Sequence, residues 1–275
     1  MKIFTSLQQL INSKKVIENF IPTMGNLHEG HLSLISEARK NHGSVCVSIY
    51  VNEKQFNNKN DFNNYPISLD LDIEKLESKN VDYLLLPNRS DIEKHSKPFD
   101  ENLDPKNLTT DLCGKYRPGH FLAVMDIVYR FLQIVKPTNI ILGEKDFQQI
   151  LCIHELVNIT KNNVNIITSP TIRTDKGLAL SSRNNLLSNN EKLIANDIYK
   201  SLILAKDLVR KRIPIETITK EIVEFYKKSS IKLEYFAIRD LKTLQHIYDD
   251  DLIALVAVYV GKIRLIDNII IRSQP

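Results

Sequence analysis

The chain has 275 residues, 43% hydrophobic and 25% charged, and its 37 basic and 33 acidic side chains give a formal net charge of +4. That is enough chain for one large α/β domain or two unequal ones, while so small a cationic excess, with no Lys/Arg block, excludes a nucleic-acid-binding arm and no apolar stretch reaches the roughly 20 residues that span a bilayer. Cys46, Cys113 and Cys152 form no CxxC pair and read as reduced thiols, and no apolar run follows Met1, so the expectation is a cytoplasmic, non-exported protein that touches neither nucleic acid nor membrane.

In chain order, Phe20-Ile21 reads as a strand running into Pro22-Thr23-Met24-Gly25, followed by an amphipathic helical run over 31–40. Residues 45–51 (VCVSIYV) are a β-branched run bounded by Gly43 and Asn52, a buried strand. The Asn-rich stretch 57–64 reads as an exposed loop. A leucine/isoleucine period predicts a helix over 68–78, a short strand over 83–86 ends at Pro87, and a long helix over 121–135 stops before Pro137. A strand over 139–142, a helix over 145–158 and a strand over 164–168 follow. Strands alternating with helices of this length imply βαβ units and a parallel sheet.

After about residue 175 the order changes to two helices, 191–212 and 217–228, then two strands, 232–239 and 252–260. The expected architecture is therefore α/β: a Rossmann-like parallel-sheet nucleotide-binding domain over 1–175 and a smaller C-terminal α+β domain over 176–275, hinged near Gly177.

The chemistry concentrates in residues 22–31 (PTMGNLHEGH), between a strand and a helix. Ligands of open α/β sheets bind at the carboxyl ends of strands, and helix N-termini attract phosphate. Gly25 permits a tight turn, and Gly30 lets a ligand approach the first helical turn. His28 and His31 are three apart and share a helix face, where imidazoles can donate to phosphoryl oxygens as charge builds up. The rival readings are a zinc helix, for which HExH is one residue short of HExxH, and two histidines that merely cap a helix. No two of the eight glycines are two apart, so GxGxxG is absent. Gly114 and Gly119 have P-loop spacing, but His120 replaces the lysine and no strand precedes them.

His28-Glu29-Gly30-His31 resembles the HxGH signature of the nucleotidylyltransferase and class I synthetase superfamily, and its surroundings resemble the opening motif of the pantothenate synthetase (pantoate–β-alanine ligase) family. Four further segments match that family in order: 47–56 (VSIYVNEKQF), 112–121 (LCGKYRPGHF), 143–149 (GEKDFQQ) and 177–184 (GLALSSRN). Asn26, Glu53 and Leu180 depart from it, standing where a small apolar residue, a proline and a methionine are usual.

The resemblance implies a ligase that joins pantoate to β-alanine through a pantoyl adenylate, releasing AMP and pyrophosphate, with Mg²⁺ on the ATP, in a homodimer. It implies ATP-binding residues Met24, Gly25, Asn26, Leu27, His28, Glu29, Gly30, His31, Gly143, Glu144, Lys145, Asp146, Ile172, Leu180, Ser181, Ser182 and Arg183. Of these His28, His31, Lys145 and Arg183 carry the catalysis, with His31 the expected proton donor. Lys145 is a point cation suited to phosphate oxygens and Asp146 can accept from ribose hydroxyls, whereas both would otherwise read as solvated helix-start charges. Ser181-Ser182-Arg183 offers hydroxyls and a guanidinium to a triphosphate, in the place of a mobile KMSKS-type loop. Gln55 and Gln149 are the implied pantoate readers, with Gln55 also near β-alanine. Asn52, Tyr65, Arg117 and His120 lie in matching blocks without an assigned role, and His42, His95, His154 and His246 read as structural or surface residues. Asp70 and Asp72 are carboxylates open to Mg²⁺, though such side chains are usually just solvated. The alternative activity is a nucleotidylyltransferase of the same superfamily acting on another small substrate.

Overall fold

The computed structural model describes residues 1–248 and 251–272. Two compact units divide the chain: Met1–Glu144 with Gln149–Pro170, and Lys145–Gln148 with Thr171–Pro275 as far as described. Of the C-terminal domain expected over 176–275, residues 249, 250 and 273–275 lie outside the described residues.

The larger unit is built on six strands: β1 (Lys2–Phe4), β2 (Asn19–Thr23), β3 (Val45–Ile49), β4 (Tyr83–Leu85), β5 (Asn139–Gly143) and β6 (Asn165–Ser169). They form one Rossmann-like sheet in the order β1-β4-β3-β2-β5-β6, every pair parallel. The helices are α1 (Leu7–Ser13), α2 (Glu29–Ala38), α3 (Lys59–Asn63), α4 (Leu69–Ser78) and α5 (Arg89–His95). Then come α6 (Lys106–Thr109), α7 (Cys113–Tyr116), α8 (His120–Val135) and α9 (Phe147–Thr160). Buried strand residues such as Ile21, Val47, Leu84 and Ile141 pack with Leu32, Ile35 and Leu76 of α2 and α4, while Phe20, at the alternate position of β2, meets Phe131 of α8, which is why the strands read as continuous apolar runs.

From β2 the chain runs outward through β3 and β4 on one side, then returns to place β5 and β6 on the other. The reversal of strand order makes the carboxyl ends of β2 and β5 the topological switch point. β2 pairs with β3 along all five of its residues but with β5 only at Asn19 and Phe20. At that closed end the side chains form a ladder: Asn139 donates to Asn19 Oδ1 (2.9 Å) and Asn165 to Asn139 Oδ1 (3.2 Å). Pairing at one end only leaves the carboxyl ends of β2 and β5 free to diverge, and the segments 22–31 and 143–149 begin there.

The smaller unit carries α10 (Asn189–Arg210), α11 (Ile215–Lys227), β7 (Ile231–Asp240), β8 (Leu252–Val260) and β9 (Ile263–Ile271). Its antiparallel sheet β7-β8-β9 has a bulge at Leu233/Tyr235. Ile198, Leu202, Ile218, Ile222 and Tyr226 of the helix pair fill the core with Ala254, Val256 and Val258 of β8. Ser201 Oγ and Tyr226 Oη meet at 2.7 Å inside that core, satisfying the phenol that burial would otherwise penalise. Ser188 and Glu191 make the capping box that starts α10.

Several expected bounds move. β1, α1, α5 and β9 escape the sequence patterns, and the polar loop expected over 57–64 contains the one-turn helix α3, started by Asn58 accepting from Asn60 N–H. The helix expected from residue 145 begins at Phe147, because Glu144–Asp146 tightens into a 3₁₀ turn. Among the described residues no helix is long and apolar enough to cross a membrane.

Candidate active site

The turn after β2 is shaped by its backbone. Thr23 Oγ1 donates to Ser48 O (2.7 Å) and accepts from Gly25 N–H (3.3 Å). Gly25 and Asn26 then take φ of 80° and 50°. At Gly25 a side chain would also be crowded, since a Cβ would stand 3.0 Å from Ile49 Cγ2 and 3.1 Å from Asp72 Oδ2. The two left-handed residues point successive N–H groups the same way, an anion-binding concavity. Its occupant is the protein's own carboxylate: Asn26 N–H and Leu27 N–H each donate to Asp72 at 2.7 Å. Asp72 is 1% exposed and accepts from Ser68 Oγ as well (3.1 Å). The solvated carboxylate expected at Asp72 is thus corrected to a buried, backbone-bound one, while Asp70 is exposed.

His28 does not sit inside the helix; it is the N-cap of α2, in extended conformation. Its Nδ1 accepts from Gly30 N–H (3.1 Å), and its own N–H donates to His31 Nδ1 (3.3 Å). This is a capping box made of two imidazoles. Because both Nδ1 atoms accept, each neutral ring carries its proton on Nε2. The ring centroids lie 4.1 Å apart. The arrangement therefore presents two N–H donors and the positive end of a helix, which suits an anion that gains charge during reaction. Capping and phosphate recognition are compatible in one motif, since they use different ring nitrogens.

The turn at Glu53–Gln55 follows β3. Gln55 is held through its backbone: Arg117 Nη2 (3.0 Å) and His120 Nδ1 (2.8 Å) both reach Gln55 O. Arg117 Nη1 also lies 2.9 Å from His120 Nε2. Asn52 donates to Ala123 O on α8 (3.1 Å) and lies 3.4 Å from Gln55 Oε1. The Gln55 amide in turn approaches Met24 Sδ (2.7 Å), bringing the expected acid reader beside the first residue of the phosphate turn. Tyr65 packs edge-on against Phe56, walling this segment. Tyr50 at the end of β3 is half-buried, and burial pushes its phenol above the usual range. Arg117 and His120 thus support Gln55, a role that spacing alone left open.

Gly143 ends β5, and Glu144 Oε1 accepts from Thr168 Oγ1 on β6 (3.2 Å). Gln149 is half-buried in the first turn of α9.

In the smaller unit, Lys145 Nζ stands 3.6 Å from its neighbour Asp146, whose side chain is 47% exposed. The Lys145 carbonyl accepts from Asn268 Nδ2 on β9 (2.9 Å). Residues 172–180 fold back on themselves: Leu180 N–H donates to Ile172 O (2.9 Å), with Gly177 at φ 95° in the turn. Arg173 locks this loop, binding Gly177 O (3.1 Å), Asn268 O (3.0 Å) and both oxygens of Asp267 (2.6 and 2.9 Å) while lying over the ring of Tyr199. Ser181 caps the 3₁₀ turn Ser182–Leu186, its Oγ accepting from Arg183 N–H (3.2 Å); Ser182 is buried and Arg183 half-buried. One strand, β9, therefore anchors both the Lys145 peptide and the loop that leads to Ser181-Ser182-Arg183. Arg173, Asp267, Asn268 and Lys75, whose Nζ donates to Leu27 O (2.7 Å), are the supporting residues that sequence reasoning missed, and Asp72 was named there only as a carboxylate open to Mg²⁺. Nothing in their local spacing marks them, because their partners lie far away in the chain.

The model of the pantoate-beta-alanine ligase family matches residues 2–270. A pantothenate synthetase of Coprothermobacter proteolyticus is 40% identical over 261 residues, covering 92% of this chain and 91% of that protein. The crystal structure of pantothenate synthetase from Thermus thermophilus superposes with a TM-score of 0.93 at 30% identity, covering 99% of this chain and 100% of that one. That of pantoate-beta-alanine ligase from Francisella tularensis, complexed with beta-gamma ATP and beta-alanine, has a TM-score of 0.80 at 37% identity, covering 100% and 99%.

Proposed function

The chain belongs to the pantoate–β-alanine ligase family and is a ligase that joins pantoate to β-alanine with ATP, and we propose that it does so through a pantoyl adenylate. In the first step a pantoate carboxylate oxygen attacks the α-phosphorus and pyrophosphate leaves. In the second the β-alanine amine attacks the acyl carbon, AMP leaves, and the amine loses a proton. No covalent enzyme nucleophile is required, so the protein contributes positioning and charge stabilisation.

The observation that carries this reading is the pair of imidazoles, each accepting a backbone N–H at Nδ1, at the N-terminus of α2 beside the switch point of the sheet. His28 and His31 serve the reacting phosphates, with His31 the proton donor. Lys145, Ser181, Ser182 and Arg183 hold the triphosphate. Gln55 and Gln149 read pantoate, and Gln55 also meets β-alanine. Met24, Gly25, Asn26, Leu27, Glu29, Gly30, Gly143, Glu144, Asp146, Ile172 and Leu180 complete the ATP contacts. Asn26 and Leu27 do so without their amides, which Asp72 occupies. The domain expected over 1–175 binds ATP and pantoate, and the one over 176–275 closes over the adenylate to exclude water.

The residues present do not fit a resident Mg²⁺ site. Among the described residues no group of three or more His, Cys, Asp or Glu can hold a metal, and Asp72 is surrounded by N–H and O–H donors. Mg²⁺ enters as part of the substrate, bound to triphosphate oxygens and water. The working enzyme is a cytoplasmic homodimer in this reading.

The test is an assay with pantoate, ATP and β-alanine omitted in turn. Pyrophosphate release must need pantoate but not β-alanine, and AMP release must need all three. A nucleotide retained on the product would instead establish a nucleotidylyltransferase. Light scattering of the purified protein decides the dimer.

A further inference from the structure

Helix α4 holds none of the residues assigned to the reaction, yet two of its side chains grip three successive peptide groups of the phosphate turn. Asp72 accepts from Asn26 N–H and Leu27 N–H, the donors of peptides 25–26 and 26–27, at 2.7 Å each. Lys75, one turn further on, donates from Nζ to Leu27 O at 2.7 Å. That carbonyl belongs to peptide 27–28, whose N–H is the one His28 donates to His31 Nδ1. A single rigid peptide therefore runs from the Lys75 ammonium at its oxygen to the His31 imidazole at its N–H.

We propose that Asp72 and Lys75 are positioning residues that orient the His28 and His31 rings. The proposal rests on the reading that those rings face the reacting phosphates. Three physical points support it. The turn places two consecutive residues, Gly25 and Asn26, in left-handed conformation, and the carboxylate stabilises it by accepting from the two N–H groups that follow. Hydrogen bonds to a carboxylate are short and about twice as strong as neutral ones, and here they lie in a buried place. The carboxylate also fills the concavity that two parallel N–H groups would offer to an anion. With that concavity filled by Asp72, the amides of Asn26 and Leu27 are committed to the protein's own carboxylate. Asp72 thus fixes the turn from which the two histidines project.

Asp72→Asn is nearly isosteric but opposes an NH₂ group to one of the two backbone N–H donors. Lys75→Met keeps the apolar stem and removes the donor, and Lys75→Arg restores one. The expected result is a fall in kcat for pantoate-dependent pyrophosphate release of about tenfold to a hundredfold in D72N. A smaller fall follows in K75M and recovers in K75R, while KM for ATP and pantoate changes less than about threefold. In parallel, ¹⁵N spectra of the histidine rings should report Nε2–H tautomers for His28 and His31 in the parent and a changed tautomer mixture in D72N. Unchanged ring spectra with unchanged kcat would overturn the proposal, as would equal losses in kcat and affinity. If D72N does not fold, K75M and K75R carry the same kcat and spectral comparison. If His31→Ala releases pyrophosphate at the parent rate, the phosphate-facing reading fails, and the ring spectra still decide whether Asp72 sets the histidines.

Discussion

His28 and His31 stand with ring centroids 4.1 Å apart, and each Nδ1 accepts a backbone N–H of their own turn. One nitrogen of each ring, Nδ1, is thereby spent on starting α2, which leaves the proton of the neutral ring on Nε2. The cap and the chemistry can be separated by mutation, because asparagine is a good N-cap whose shorter side chain cannot place its NH₂ donor where the imidazole Nε2 stands.

His28→Asn should therefore keep the fold, with stability within about 0.5 kcal/mol of the parent, whereas His28→Ala should lose about 1 kcal/mol. Both should lower kcat for pyrophosphate release by about a hundredfold or more. Urea melts alongside the adenylation assay check this, and a His28→Asn enzyme of parental activity would show that the ring serves only as a cap.

Gln55 is held at its carbonyl by Arg117 and His120. Arg117→Lys removes the planar fork that reaches both Gln55 O and the His120 ring. It should raise KM for pantoate about tenfold and leave KM for ATP nearly unchanged. Initial-rate kinetics with each substrate varied in turn would measure this; an equal rise for both substrates would place Arg117 elsewhere in the mechanism.

The Asp267 side chain is 2% exposed and bound at both oxygens by Arg173. Asp267→Ala leaves the half-buried Arg173 guanidinium without its counter-charge and should destabilise the smaller unit by about 3 kcal/mol. Replacing both partners with apolar residues should cost less than the single change. Thermal melts of the single and double variants would decide it, and additivity of the two changes would contradict a coupled pair.

The Asp240 carboxylate accepts from Thr243 Oγ1 (2.6 Å), Thr243 N–H (2.7 Å) and Lys242 N–H (3.1 Å), and these bonds hold its pKa below the usual range. A lowered folded-state pKa stabilises above the unfolded value, about 3.9 for Asp, and that contribution fades as pH falls through the folded value. The stability difference between the parent and Asp240→Asn should be full at pH 6 and shrink below about pH 4. Denaturant titrations at both pH values measure it; a gap that widens in acid would reverse the sign of the effect.

Long apolar or periodic segments were legible in the sequence: 45–51, 121–135 and 139–142 correspond to β3, α8 and β5. β1 and α1 were not, since three strand residues are too few for alternation and α1 buries only Leu7 and Leu10. β9 escaped because Asp267 and Asn268 interrupt its apolar run. Both are buried, and their polar atoms are satisfied by Arg173 and Lys145, which lie more than ninety positions away.

Local chemistry determined what the sequence alone could reveal: an α/β chain with a histidine–glycine turn at a strand end, whose glycines and imidazoles are informative because their neighbours in sequence are their neighbours in space. The tertiary structure decided how that turn is held. A carboxylate at residue 72, a lysine at 75, an arginine at 117 and a strand at 263–271 meet their targets only after the chain has folded. Hydrogen bonds reach about 3 Å, and no spacing along the sequence encodes which distant side chain will come within it. Pro22 to His31 could thus be read as the place of the chemistry, while the grip of Asp72 on that turn, visible only in three dimensions, accounts for its shape.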